Sequence, residues 1–112
     1  MDVTQRIETL VGWLNDTLYR TMLSNSQGIN DSWNRHLAAN SVRLDQQKRY
    51  ARLASHSQVI AFVDRVTGEI HRPGNAHAPS NRSYGNVCDD LYGSQLFTIT
   101  DTPAPSITLN VH

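Results

Sequence analysis

Apolar and polar positions follow two different periods along this chain. Between Asp2 and Met22, the residues Val3, Ile7, Leu10, Val11, Leu14, Leu18 and Met22 recur at steps of three and four. That spacing predicts an amphipathic helix with a single apolar stripe. Asp2 stands where a helix cap belongs, and Arg6 to Leu23 contains no proline. Gly12 weakens the middle by about 1 kcal/mol relative to alanine. Trp13 lies off the centre of the stripe, so it either widens the buried face or meets another chain. The polar run Ser24 to Asp31 ends the helix and turns the chain. A second, shorter helix is expected from Asp31 or Ser32, with Trp33, Leu37 and Ala38 facing inward and a break near Asn40-Ser41.

From Tyr50 the period shortens to two. Tyr50 to Ala54 alternates as a first strand, Ser55-His56-Ser57 makes a turn, and Val59 to Val63 is a continuous apolar run. Asp64 to Gly68 carries turn chemistry, and Glu69-Ile70-His71-Arg72 is short and alternating, which predicts a hairpin with one buried arm. Pro73, Gly74, Pro79 and Gly85 then predict an irregular loop as far as Cys88. Leu96 to Thr100 and Ile107 to Val111 alternate again on either side of Pro103 and Pro105. The last of these is either an edge strand of its own sheet or an arm added to a neighbour's sheet. The expected fold is α+β in one domain, residues 1–112. A helical part (1–45) holds the long N-terminal helix and the shorter second helix. These pack on a small antiparallel sheet of three to five strands in a β part (46–112), which carries the long Pro/Gly loop and a C-terminal arm.

Composition narrows the functional classes. The chain has 112 residues, 38% hydrophobic and 18% charged, with ten basic and ten acidic residues that cancel. No global field therefore recruits nucleic acid, a membrane surface or an acidic partner, and electrostatic recognition must come from a local patch. Cys88 is the only cysteine, so there is no intramolecular disulfide. The N-terminal residues have neither a basic start nor an apolar segment of the kind a secretory leader carries, and no apolar run approaches the ~18 residues that span a bilayer. A soluble, cytosolic protein with no membrane partner is the expectation.

Candidate chemistry is sparse. Asp64, at the end of the apolar strand, is either a catalytic carboxylate or an acceptor for backbone amides across its turn, with Gly68 supplying a positive φ; the second reading is favoured. His71, His77, Cys88 and Asp89 match no common zinc spacing, and Cys88 reads better as a small filler beneath the loop. There is no glycine-rich phosphate loop and no nucleophile elbow, so neither an enzymatic activity nor a cofactor is expected. Arg65, Arg72, His77, Arg82 and Tyr84 make the loop region locally basic and partly aromatic, suited to phosphate contacts with Tyr84 stacking on a base, or else to a solvated surface. Arg43, Lys48, Arg49 and Arg52 form a second basic cluster. Arg72, Arg82, Tyr84 and Asn86 are the strongest candidates for contact with a ligand or partner.

Several elements of the hairpin and its loop occur together in one order: Tyr50-Ala51-Arg52, Phe62-Val63-Asp64, Thr67-Gly68-Glu69, Ile70, Pro73, Ala78-Pro79 and Gly85-Asn86-Val87. In this the chain resembles small proteins of unassigned function encoded by tailed bacteriophages, over roughly a third of its length. Those relatives carry a tryptophan, several lysines and an arginine in the loop where this chain has Ala76, His77, Asn81 and Tyr84. The resemblance implies a phage protein rather than an activity. The expectation is a non-enzymatic accessory protein in the host cytoplasm that binds, and so inhibits, a host or anti-phage defence protein. Two alternatives stand beside it: a virion or assembly component that forms a homo-oligomer through its C-terminal arm, and a nucleic-acid- or nucleotide-binding protein.

Overall fold

The apolar stripe at the N-terminus becomes helix α1, Val3–Asn25. Asp2 starts it with a reciprocal cap: its Oδ1 accepts the Gln5 amide at 2.8 Å, and its own amide donates to Gln5 Oε1 at 3.1 Å. Ile7, Leu10, Leu14, Leu18 and Met22 are all buried, with Val3, Val11 and Trp13 half-buried beside them against the core. Trp13 thus widens the buried face. In the computed structural model the described residues are 2–25, 41–55, 58–89, 96–100 and 106–110. The expected second helix, from Asp31 or Ser32, and Trp33 lie outside them.

Five strands follow as an antiparallel meander in sequence order: β1 (Arg43–Gln46), β2 (Tyr50–Ala54), β3 (Val59–Asp64), β4 (Glu69–Pro73) and β5 (Pro79–Asn86). The apolar run of β3 is continuous because β3 is the central strand, buried on both faces. On one face Ala51 and Leu53 of β2, Ala61 and Val63 of β3 and Ile70 of β4 join Ile7, Leu10 and Leu14 of α1 in the main core. On the other face Phe62 is fully buried; Arg52 and His71 stand directly opposite it on the two neighbouring strands. Tyr50 meets the rings of Phe62 and His71 edge-on, with centroids 6.5 and 5.9 Å away.

A second, two-stranded antiparallel sheet pairs β6 (Phe97–Ile99) with β7 (Ile107–Leu109). Leu96, Phe97 and Ile107 enter the same core as α1 and the main sheet. Gln58 Nε2 donates to the Ile107 carbonyl at 2.8 Å, and the Asn110 amide to the Leu96 carbonyl at 2.8 Å. β7 is therefore paired as an edge strand within its own chain.

The α+β class and the antiparallel sheet are as the hydrophobic pattern predicts. Two local expectations are corrected. The stretch Pro79–Asn86, expected as irregular loop, is strand β5: an edge strand tolerates Pro79 at its first position and accommodates Gly85 at a bulge. The sheet also begins at Arg43, before the residue at which the β part was placed, because the short polar segment Arg43–Gln46 pairs with β2 as the opposite edge.

Candidate functional site

The turn between β3 and β4 is built by Asp64, whose side chain is only 4% exposed. Its Oδ1 accepts the Val66 and Thr67 amides at 2.8 and 3.2 Å, and its Oδ2 pairs with Arg49 Nη2 at 3.2 Å. Burial pushes the carboxyl up, but the two amides and the Arg49 guanidinium outweigh it and hold the pKa below the ordinary aspartate value. Gly68 closes the turn at φ 84°, where an added Cβ would lie 2.6 Å from Asn86 Oδ1 and 3.1 Å from Val87 Cγ2. Asp64 is therefore the turn-forming acceptor that the sequence favours.

Three of the candidate arginines are held by the fold. Arg49 is paired with Asp64 and lies 5.7 Å from the centre of the Tyr50 ring. Arg52 donates from Nε to the Ala76 carbonyl at 2.8 Å and faces Asp45 at 3.7 Å. Arg65 donates from Nη1 to the Gln47 carbonyl at 2.8 Å, bracing the β1–β2 turn against the β3–β4 turn. Within the second basic cluster, Arg49 and Arg52 thus answer to carboxylates and carbonyls of this chain.

Arg72 and Arg82 are different. Both are exposed, and among the described residues no carboxylate pairs with either. They are brought to Tyr84 by two irregularities in the β4–β5 ladder: Ile70 faces Gly85 while His71 faces Ser83, and Pro73 faces Pro79. Tyr84 is thus the extra residue of a bulge, set between the partners of Ile70 and His71, and its ring packs against the main core. Gly85, at φ 144°, permits this, and an added Cβ there would come within 2.9 Å of Leu96 Cδ1. The Tyr84 hydroxyl is buried, and among the described residues nothing accepts its proton. The Arg82 guanidinium beside it, with Arg72 next to that, holds its pKa below the ordinary tyrosine value although burial pushes it up. Both guanidiniums lie close enough to act directly on the hydroxyl oxygen, Arg82 most strongly, while among the described residues its proton has no acceptor.

Arg72 also lines an open cleft of about 460 Å³, with Gln58 and, from the main sheet, Val59, Ile60 and Pro73 on one side and Ile107, Thr108 and Leu109 of β7 on the other. This cleft carries no sequence signal, because its walls come from segments about fifty residues apart that only the docking of β7 brings together.

The other sequence candidates lie apart from this group. His77 is exposed at the tip of the β4–β5 loop, where its amide donates to Asn75 Oδ1 at 2.8 Å. Asn86 is a structural clip: its Nδ2 donates to the Thr67 carbonyl at 2.8 Å and its Oδ1 accepts the Cys88 amide at 2.9 Å. Cys88 is exposed rather than buried beneath the loop, because Val87 takes the buried place in that turn. Among the described residues no three His, Cys, Asp or Glu side chains converge as a metal site would require. His71, on the opposite face from the main core, has Nε2 3.5 Å from Glu69 Oε2 and a buried Nδ1 with no partner among the described residues.

Residues 1–104 match the profile of a family of unknown function (DUF7717). The chain belongs to that family. No curated protein and no solved structure matches it. The DUF7717 match takes in α1, the five-stranded sheet and β6, and with them Arg72, Arg82 and Tyr84; it stops before β7, which supplies one wall of the cleft. No helix among the described residues is long and apolar enough to cross a membrane.

Proposed function

We propose that this protein acts by binding rather than by catalysis, as a phage accessory protein that inhibits a component of the host or of its anti-phage defence. The phage assignment is supported by the resemblance of the β2–β5 segment to small phage proteins. The binding assignment is supported above all by one contrast. The Asp64 carboxylate and the guanidiniums of Arg49, Arg52 and Arg65 are bonded within the fold, whereas Arg72 and Arg82 stand exposed beside a tyrosine hydroxyl whose proton has no acceptor among the described residues. An ion pair or capped amide stabilises a fold, but a pair of exposed like charges held side by side does not, and such a pair is suited to an external anionic group.

The test is capture from a bacterial lysate with the tagged full chain, followed by assay of the captured component with added pure protein. The wild type should retain a defined partner and inhibit it, and the Arg72→Ala/Arg82→Ala variant should do neither. Retention of the same partner by the double variant would remove this face from the function. The reading as a nucleic-acid- or nucleotide-binding protein draws on the same two exposed arginines, which suit phosphate oxygens. Salt-dependent binding of single-stranded DNA, lost in either arginine variant, would favour it.

A further inference from the structure

We infer that Arg72, Arg82 and the Tyr84 hydroxyl form a receptor for the phosphoryl group of a small organic phosphate, whose remaining part occupies the adjoining cleft between the main sheet and β7. This deepens the binding reading above and rests on it. The geometry has three parts that fit one ligand. Two guanidiniums, with no carboxylate partner among the described residues, are positioned by the β4–β5 irregularities beside one hydroxyl. That hydroxyl is buried beside both guanidiniums, and among the described residues nothing accepts its proton. A phosphoryl group brings about two negative charges and three acceptor oxygens, enough for both arginines and the tyrosine together.

The third part is the cleft, which Arg72 shares with the cluster. Its volume of about 460 Å³ falls in the range of ~300–1,000 Å³ that small-molecule sites occupy. Its lining is mixed: Val59, Ile60, Pro73, Ile107 and Leu109 bring apolar side chains, and Arg72, Gln58 and Thr108 bring polar groups. A nucleic-acid backbone fits less well. It needs a track of successive phosphate contacts, whereas Arg49, Arg52 and Arg65 are already engaged within the fold and the formal net charge is zero.

The experiment titrates inorganic phosphate, and separately a nucleoside monophosphate, into the full chain at low ionic strength. Amide chemical shifts and tyrosinate absorbance are followed in each case. Phosphate should move the amides of Arg72, Arg82 and Tyr84, and the monophosphate should extend the shifts to Val59, Ile60 and Ile107. Bound phosphate should raise the pKa of Tyr84 by offsetting its two cations, a change that Tyr84→Phe abolishes. Either arginine-to-alanine variant should weaken binding about tenfold or more, and Tyr84→Phe by about fivefold. These side chains are exposed, or in the case of Tyr84→Phe keep the core-facing ring, so all three variants should fold; matching thermal transitions check this. Absence of saturable shifts at Arg72 and Arg82 with both probes overturns the assignment. If lysate capture still depends on the arginines in that case, only the ligand class falls; if it does not, the binding reading falls as well. Tighter binding of a single-stranded oligonucleotide, with a salt slope of several ions, would also overturn the small-molecule assignment.

Discussion

Asp64 shows how local chemistry can be read from sequence and where that reading stops. Its contacts with Val66 and Thr67 span two and three positions, so the turn is implied by the residue types alone. Its partner Arg49 is fifteen residues away and meets it only because β2 and β3 pair in register, which sets Tyr50 opposite Asp64. The carboxyl's folded pKa lies below the 3.8 of an unperturbed aspartate. Its charge therefore contributes its full stability above about that pH, and the contribution is lost as pH falls through the lower folded value. Urea denaturation of wild type across the acid range should show that loss, and Asp64→Asn should show a shallower acid limb. At neutral pH the substitution should cost about 1–3 kcal/mol, since an amide cannot replace the charge facing Arg49. An acid limb identical in the two proteins would contradict the account. Tyr84 is the counterexample at the same scale: its residue type made it a candidate, but its place between Arg72 and Arg82 depends on a bulge that no residue type announces.

Among the elements, α1 and β3 were the most legible because each carries a long, consistent apolar pattern: a stripe of period near 3.6 in one and an unbroken run in the other. β1 and β5 were not, and both are edges. Arg43–Gln46 offers four mostly polar residues, and Pro79–Asn86 has the proline and glycine that usually mark a loop. Edge strands need satisfy only one ladder, so they can depart from strand composition without losing their pairing. The joint between helix and sheet was equally hidden. Asn15 lies on α1 between buried positions, and its side chain clamps the chain just before β1: Nδ2 donates to the Val42 carbonyl at 3.1 Å, and the Val42 amide donates to Oδ1 at 2.7 Å. Val42 is buried, so removing the clamp leaves one donor and one acceptor without partners. Asn15→Ala should therefore destabilise by roughly 2 kcal/mol or more, well beyond the loss expected at an ordinary half-exposed helix position. Amide hydrogen exchange should place the effect: Val42 and the β1–β2 ladder should exchange faster, while the β4–β5 pair stays protected. Uniform loss of protection across the sheet would mean that Asn15 acts otherwise.

At the scale of the whole molecule, the question is what the C-terminal segment does for the fold, because the sequence left two answers open and the cleft depends on the choice. β7 pairs with β6 in the same chain, buries Ile107 in the shared core, and is tied to the main sheet by Gln58. A segment bound in this way stabilises its own molecule, whereas an arm that serves a neighbour leaves its own molecule little changed when removed. Deleting residues 101–112 strips the cover from the Phe97 and Leu96 side of the core and withdraws the buried Ile107 side chain, which alone accounts for about 1.5–3 kcal/mol. The truncated chain should thus unfold at lower denaturant concentration, with a midpoint independent of protein concentration. It should also lose monophosphate binding more than phosphate binding, because the cleft wall is gone while Arg72, Arg82 and Tyr84 remain. Light scattering separates the alternatives: if deletion instead dissolves an oligomer and leaves the stability of each chain unchanged, β7 works between molecules and the cleft is an intermolecular one.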